Sequence, residues 1–465
     1  MTTNRRSPEP LPPLPATFHF IGIGGIGMSG LARILKIWGY TVSGSDAVES
    51  AQTQALRAMD IPVVIGHDDP TLASQADIIV TNKRAAANAA VEIDAAVANG
   101  ARVIKRGDLL GMAAGERIGI AVAGSHGKST TSGMLSVALR TLGADPTFAV
   151  GAIVAATGTN AEPGTGEHFV VEADEFDRSF HGLYPNVAII TSVAFDHPDI
   201  YTDQADYDRS FVDFVGNIRD GGTLVIASDD PGCQRVMAQV QGREGITIRT
   251  FGEDASAQWR LKGDASNRVV IAPSGDAHPL HPKMPGKHNA RNAVAAIAAL
   301  HAAGISVEEA IRGVESFTGI GRRFEYKGEY RGAPIVDDYA HHPEEITAVL
   351  HAAREHFAGK RLIVVHQPHT YSRTLTLMDE FAASLDLADD VVLMEIYGVG
   401  EANPHNISSA DLAARMTRNV TLATTPDEAA AAVRDLLVDD AQAVIFTIGA
   451  GTVTQVGPLL VHSTP

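Results

Sequence analysis

Residues 117–143 read RIGIAVAGSHGKSTTSGMLSVALRTLG. An apolar run, Ile118 to Ala123, meets a glycine-rich turn and then a stretch with helical spacing of apolar residues. That is the plan strand, glycine turn, helix, and it points to an α/β fold. The turn is close to a Walker A phosphate loop, which needs Gly, four residues, then Gly-Lys-Ser/Thr. Counting back from Gly127-Lys128-Ser129, the first glycine position holds Val122, and Gly124 stands two places late. Two readings follow: a phosphate loop of another kind, or a glycine cluster that caps a helix. As a phosphate loop, the backbone N–H groups of Gly124, Ser125, His126 and Gly127 cradle oxygens and Lys128 reaches the β and γ phosphates. Ser129 or Thr130 then meets Mg²⁺. A helix cap of Ser and Gly has no use for the lysine.

The same plan occurs upstream. TFHFIGIGGIGMSGLARILKIWGYTVSGSD, residues 17–46, is strand, turn, helix, strand. Gly22, Gly24, Gly25 and Gly27 fit G-x-G-x-x-G, and Asp46 closes the second strand 19 residues after Gly27. Such glycines let a backbone approach a pyrophosphate at a helix N-terminus. NAD or FAD, a UDP-sugar, and a tight turn without ligand are all compatible with it.

Short apolar runs continue along the chain: IPVVIG, ADIIVT and ARVIK; then HFVVEAD, VAIITSVAFD and GTLVIAS; then RLIVVHQP, DDVVLMEIY and AVIFTIGAG. Helix-like stretches separate them. We read three α/β blocks: an N-terminal Rossmann-like domain over 17–113, a central P-loop ATPase-like domain with a parallel or mixed sheet over 114–316, and a C-terminal Rossmann-like domain over 317–465. The Pro-rich residues 1–16 read as a disordered tail. Apolar residues make up 45% and charged residues 20% of the 465, as in soluble globular chains. No apolar run approaches membrane-spanning length. The N-terminus has no secretory core segment. Cys233 is the one cysteine, which excludes a disulfide framework and fits a cytoplasmic location. A net charge of -18 argues against nucleic acid as a partner.

Two strand ends carry acidic clusters. VVEADEFDRSF places Glu172, Asp174, Glu175 and Asp177 where parallel sheets put their ligands, and hard carboxylate oxygens suit Mg²⁺ beside phosphates. SVAFDHPD ends the next strand with Asp196 and His197. The bland readings are a solvated acidic turn and a structural histidine.

Taken in order, GIGGIGMSGLA, AVAGSHGKSTT, EADEFDRSF, GKHNARNAVAAIAA, GIGRRFE, VDDYAHHPEEI and VVHQPHTYSRT resemble the ATP-dependent Mur ligases of peptidoglycan synthesis. The resemblance runs from about Phe18 onward. The phosphate loop of that family is Gly-Thr/Ser-x-Gly-Lys-Ser/Thr, without the early Walker glycine. The resemblance implies a three-domain enzyme whose first domain takes UDP-N-acetylmuramate rather than NAD. The second takes ATP with Mg²⁺, and the third closes over both and brings the amino acid. It also implies reaction through an acyl phosphate, two Mg²⁺ sites that tolerate Mn²⁺, and a monomer or weak dimer.

Carried over by position, Gly22, Gly24, Gly25, Gly27 and Asp46 hold the UDP-sugar. Gly124 through Thr130 hold ATP, Ser129 holds the first metal, and Glu175 with His197 the second. Asn289 and Asn292 contact adenine and the ATP side. Arg323 reaches phosphate and Asp338 ribose. His341, His342, His369 and Arg373 surround the amino-acid carboxylate, with Arg373 as its cation. Lys128, Glu175, His197 and Arg373 form the catalytic set.

Phe176 stands where many relatives have Ser. No lysine lies between Asp196 and Leu261, whereas members that add later residues carry a carbamylated lysine there. This favours the member that adds the first residue, L-alanine. A ligase recycling a preformed tripeptide onto the same sugar, a non-catalytic sugar-nucleotide sensor, and an NAD-dependent oxidoreductase are the alternatives. The last gives the second glycine loop no role.

Overall fold

The structure is a computed structural model that describes residues 8–197, 200–437 and 442–462. The chain divides into two compact units. The first takes in the chain up to Lys262 with Val269–His281 and Asn292–Phe317. The second takes in Gly263–Arg268, Pro282–Arg291 and the chain from Thr318 on. The expected boundary near 316 therefore falls within two residues of a unit border, while the two expected domains before it share one unit with separate sheets.

The smaller sheet of the first unit has five parallel strands in the order Val63–Ile65, Thr41–Asp46, Thr17–Ile21, Ile78–Thr81, Arg102–Lys105. The chain reverses direction across the sheet beside Thr17–Ile21, so a crevice opens at the C-terminal end of that strand, where the first glycine turn lies. Ile21, Ile79, Ala73, Ala89 and Ala96 form its core on one face.

The larger sheet has ten strands. Its parallel centre runs Thr223–Ala227, Val187–Ile190, Ile118–Ala123, His168–Glu172, Thr147–Val154. Antiparallel pieces finish both edges: Thr159–Glu162 on one side, and Val269–Ile271 with Ala277–Pro279 on the other. The apolar runs without alternation in the sequence are the central strands, which helices bury on both faces. The short polar edge strands gave no such signal.

The second unit holds six strands in the order Glu325–Tyr330, Ala333–Asp338, Ala443–Ile448, Arg361–His366, Asp390–Met394, Val420–Ala423; only the first pair is antiparallel. Leu362, Val364, Val444 and Phe446 pack on one face, and Ile363, Val365, Ala443 and Ile445 on the other. The strand period of two sorts neighbours into two cores. Of the expected N-terminal tail, residues 1–7 lie outside the described residues. The remainder has no regular structure, and Pro12 O accepts from the Tyr40 hydroxyl at 2.9 Å.

Inside the first unit, the two sheets meet through two helices. Helix Ile26–Ile37 packs on Thr159–Glu162, where Asn160 Nδ2 donates to Ile26 O at 3.0 Å and Arg33 Nη2 donates to Asn160 Oδ1 at 2.9 Å. Helix Arg106–Gly115 packs on the segment Phe176–Gly182 that follows the acidic motif. The approach is backbone to backbone: a Cβ on Gly111 would strike Gly182 O, with Gly182 C at 2.7 Å. We expect Gly111→Ala to lower stability by about 1–3 kcal/mol through overpacking. Thermal unfolding measures this; an unchanged midpoint would mean that the contact gives way freely.

Candidate active site

The second glycine turn joins strand Ile118–Ala123 to helix Lys128–Thr141. Two of its glycines are needed as glycines. Gly124 has φ 134° and faces Thr191 Oγ1, and Gly127 is the helix N-cap with φ 81°. A Cβ on Gly127 would lie 2.7 Å from Asn292 Oδ1. Asn292 thus sits against the turn. The turn is tied to the neighbouring strand end: Ser125 Oγ donates to Ala194 O at 2.7 Å and accepts from Ala194 N at 2.9 Å, and His126 N donates to Ser192 Oγ at 3.0 Å.

Lys128 curls back over the turn. Its Nζ donates to Gly124 O at 2.6 Å and pairs with Glu175 Oε2 at 2.8 Å. Glu175 is buried. Burial pushes its carboxyl up, to about 7; Lys128 opposes the rise and Asp174 adds to it. Burial alone would lower the Lys128 ammonium, but Glu175 and Asp174 outweigh that and raise it, so it stays charged. His197, held at φ 58°, brings Nε2 to 3.8 Å from Glu175 Oε1 and 3.7 Å from Asp196 Oδ2. Ser129 Oγ donates to Glu172 Oε1 at 3.0 Å, and Glu172 Oε2 accepts from Gly151 N at 2.6 Å.

These donors fit a divalent ion. Two ligands each about 2.1 Å from one metal lie roughly 3–4 Å apart, and the Glu175–His197 separation falls in that range. Of the four clustered carboxylates, Glu172 and Glu175 face the turn. Asp174 accepts from Phe176 N at 3.1 Å, and Asp177 pairs with Lys105 at 3.4 Å. Phe176 is exposed and stands edge-on to the His197 ring, centroids 5.2 Å apart.

The first glycine turn is braced from the next strand. Gly22 N and Ile23 N both donate to Ser45 O, at 2.8 and 3.0 Å, and Gly24 N donates to Asp46 Oδ2 at 2.8 Å. Asp46 thus shapes the turn. One residue that the sequence reading passed over stands here. Arg106 Nη1 lies 3.0 Å from where a Cβ on Gly27 would be, and it has no ion-pair partner among the described residues. Its signal was position: it follows the strand Arg102–Lys105 at the ligand edge of a parallel sheet.

The second unit gathers a separate set. His341 and His369 rings are 5.8 Å apart, Arg373 Nη1 meets His369 Nδ1 at 3.3 Å, and Arg373 is buried. Arg323 Nη1 lies 3.6 Å from Glu345 Oε1 and its guanidinium lies over the Tyr339 ring. His342 caps helix Pro343–His356 by accepting from Glu344 N at 3.3 Å. Asp338 accepts from Phe324 N and Ala340 N, both at 2.8 Å, and burial pushes its carboxyl up to about 6. Asn289 Nδ2 donates to Pro285 O at 2.7 Å. These last three are occupied in holding local turns.

Comparison with known proteins adds the family. Residues 17–117 match the domain described as Mur ligase family, catalytic domain; 122–300 the Mur ligase middle domain; and 322–451 the Mur ligase, glutamate ligase domain. The chain is 40% identical to a UDP-N-acetylmuramate–L-alanine ligase of Renibacterium salmoninarum, covering 96% of this chain and 95% of that one. It is 39% identical to a ligase of the same name from Thermobifida fusca, covering 96% of each. Among solved structures, a UDP-N-acetylmuramate–alanine ligase of Thermotoga maritima is similar with a TM-score of 0.77 and 26% identity, over 96% of this chain and 98% of that one.

Because a proton on Glu175 competes with a metal there, and its carboxyl titrates near 7, metal demand should rise as pH falls. The Mg²⁺ concentration for half-maximal rate should increase by roughly tenfold per pH unit below about 7. His197→Ala should raise it at every pH, with partial recovery in Mn²⁺, which accepts nitrogen ligands more readily. Superimposable metal curves for variant and wild type would remove His197 from the ligand set.

Proposed function

The chain belongs to the Mur ligase family, and from that premise we propose that it joins L-alanine to UDP-N-acetylmuramate in the cytoplasm, cleaving ATP to ADP and phosphate to make a peptidoglycan precursor. The observation that carries the reading is the Lys128–Glu175–His197 cluster at the N-terminus of helix Lys128–Thr141. It supplies a cation, a metal-capable carboxylate and an imidazole nitrogen beside the glycine turn. The alanine ligases to which the chain is similar support the choice of substrates.

In this reading the lactyl carboxylate attacks the γ-phosphorus of ATP. One P–O bond forms, the bridging P–O bond breaks and ADP leaves. The alanine nitrogen then attacks the acyl carbon; the C–N bond forms, the bond to phosphate breaks and one amine proton is lost. Two anions must meet in the first step. Lys128, released from Glu175, holds the phosphates and offsets that repulsion. Ser129 would hold one divalent cation, and Glu175 with His197 a second. Bound there, Mg²⁺ or Mn²⁺ neutralises charge developing on the transferred group. Gly22, Gly24, Gly25 and Gly27 take the diphosphate of the sugar nucleotide, with Arg106 as its cation. Arg373, beside His369 and His341, receives the alanine carboxylate. Asn289, Asn292, Arg323 and Asp338 serve ATP. The protein acts as a monomer or weak dimer.

Phosphate release from ATP, UDP-N-acetylmuramate and L-alanine tests the reading. Release that depends on all three supports it. Release only when a tripeptide replaces alanine would assign the recycling reaction instead. Lys128→Ala should reduce turnover by on the order of 10² to 10³ or more while UDP-sugar binding persists. A variant retaining half its rate would place ATP elsewhere. Gly24→Val should raise KM for UDP-N-acetylmuramate, since any Cβ there would lie 2.9 Å from Asp46 Oδ2. Stoichiometric NADH binding, followed by fluorescence, would overturn the assignment of this turn. Arg373→Lys should raise KM for alanine by about tenfold or more, because an ammonium loses the two-pronged grip on a carboxylate. An unchanged alanine KM would free Arg373 of that role.

A further inference from the structure

Under the first glycine turn lies a buried polar cluster that the proposed reaction does not use. Glu92, on helix Ala90–Ala98, is fully buried and points into the five-stranded sheet. Its Oε2 accepts from Ser45 Oγ at 2.7 Å and lies 3.0 Å from His67 Nδ1. Its Oε1 lies 3.4 Å from His19 Nε2. His19 Nδ1 in turn lies 2.9 Å from Ser43 Oγ, and His67 Nδ1 3.0 Å from Ser45 Oγ. His19, Ser43 and Ser45 come from adjacent parallel strands in register, His19 opposite Ser43.

The proton assignment follows from donor counting. A carboxylate only accepts. The Ser45 hydroxyl therefore gives its proton to Glu92, the His67 Nδ1 carries a proton shared between Ser45 and Glu92, and His19 Nε2 faces Glu92 Oε1 across a 3.4 Å contact outside hydrogen-bond geometry while its Nδ1 pairs with Ser43 Oγ. One buried carboxylate thus meets two hydrogen-bond donors, Ser45 and His67, with the His19 ring beside it. Burial would raise the Glu92 carboxyl, but His19, Ser45 and His67 outweigh it and hold it below its ordinary value. A charge buried this deeply persists only when hydrogen-bonded.

Ser45 connects the cluster to the ligand turn. Its side chain is fixed by Glu92, and its carbonyl is the acceptor for both Gly22 N and Ile23 N. The next residue, Asp46, fixes Gly24 N. We propose that Glu92 is a positioning residue for the sugar-nucleotide turn: through Ser45 and His67 it holds the strand end on which Gly22, Ile23 and Gly24 hang. The inference rests on the UDP-sugar reading of that turn.

The test is calorimetric binding of UDP-N-acetylmuramate to wild type, Glu92→Gln and Gly24→Val, alongside KM for ATP and thermal unfolding. Glu92→Gln keeps the shape but sets an amide N–H₂ against existing donors. It should weaken sugar-nucleotide binding about tenfold, the cost of a mispaired buried donor, with KM for ATP within about twofold. Should that variant not fold, His67→Ala is read the same way, since the His67 side chain is 11% exposed and its loss opens onto solvent. Equal weakening for both nucleotides, or a lower melting point with unchanged binding, would reduce Glu92 to a stabilising group and overturn the proposal. If Gly24→Val weakens binding and Glu92→Gln does not, the proposal fails and the UDP-sugar reading stands. If wild type binds no UDP-N-acetylmuramate, both fail.

Discussion

A partly buried ammonium 2.8 Å from a buried carboxylate governs the central part of this molecule. Lys128 and Glu175 each lose water on folding, and each depends on the other to remain where it is. The backbone around them follows from that need. Gly124 O turns inward to accept from Lys128, which a φ of 134° permits only for glycine. The acidic motif leaves its strand so that Glu175, rather than Asp174 or Asp177, reaches the lysine. Tyr201 then donates to Glu175 O at 2.6 Å and fixes that segment from behind. A pair held in this way is a poised site. In the proposed reaction, phosphate oxygens take over the ammonium, and the carboxylate is then free for a metal.

The two glycine turns solve one physical problem twice. Both must hold a glycine-rich backbone open at the end of a parallel strand without collapsing, and several of their N–H groups are spent on that bracing. The second leans on the neighbouring strand end through Ser125, Thr191 and Ser192. The first leans on Ser45 and Asp46. The cationic side chains beside them differ in kind. Lys128 is within its own turn, whereas Arg106 comes from a helix that starts about eighty residues later, as long-range packing allows in α/β sheets. Since the helix bearing Arg106 also packs on the segment after Glu175, the two turns share a mechanical neighbour inside one unit.

Particular residues show where pattern reading succeeds. Lys128 and Ser129 stand at the turn because the strand–turn–helix plan fixes such positions locally, while Glu175 and Asn292, singled out by the family resemblance, reach it from elsewhere in the first unit. Asp174 and Asp177 looked equivalent to Glu175 in the sequence. What separates them is the backbone at φ 51° for Asp177 and 53° for Arg178, which swings Asp177 toward Lys105. His342 and Asp338 stood among ligand candidates through the family resemblance, and in the fold one also caps a helix and the other also braces a turn. A short polar side chain near a backbone N–H serves either purpose, and sequence spacing does not tell them apart.

The sequence alone determined the α/β class, the three blocks and the two glycine turns. These depend on local rules: apolar runs long enough for buried strands, glycines where the chain needs positive φ, and one lysine at a helix start. Tertiary structure decided the rest. The edge strands around Thr159–Glu162 and Ala277–Pro279 are too short and polar to announce themselves, and form because an open sheet edge offers partners for their backbone groups. Arg106, and the cluster of His19, Ser43, Ser45, His67 and Glu92, have meaning only in space. Four residues from three segments gather around one buried carboxylate on a fourth, and no spacing along the chain encodes a contact made between strands and a helix folded onto them.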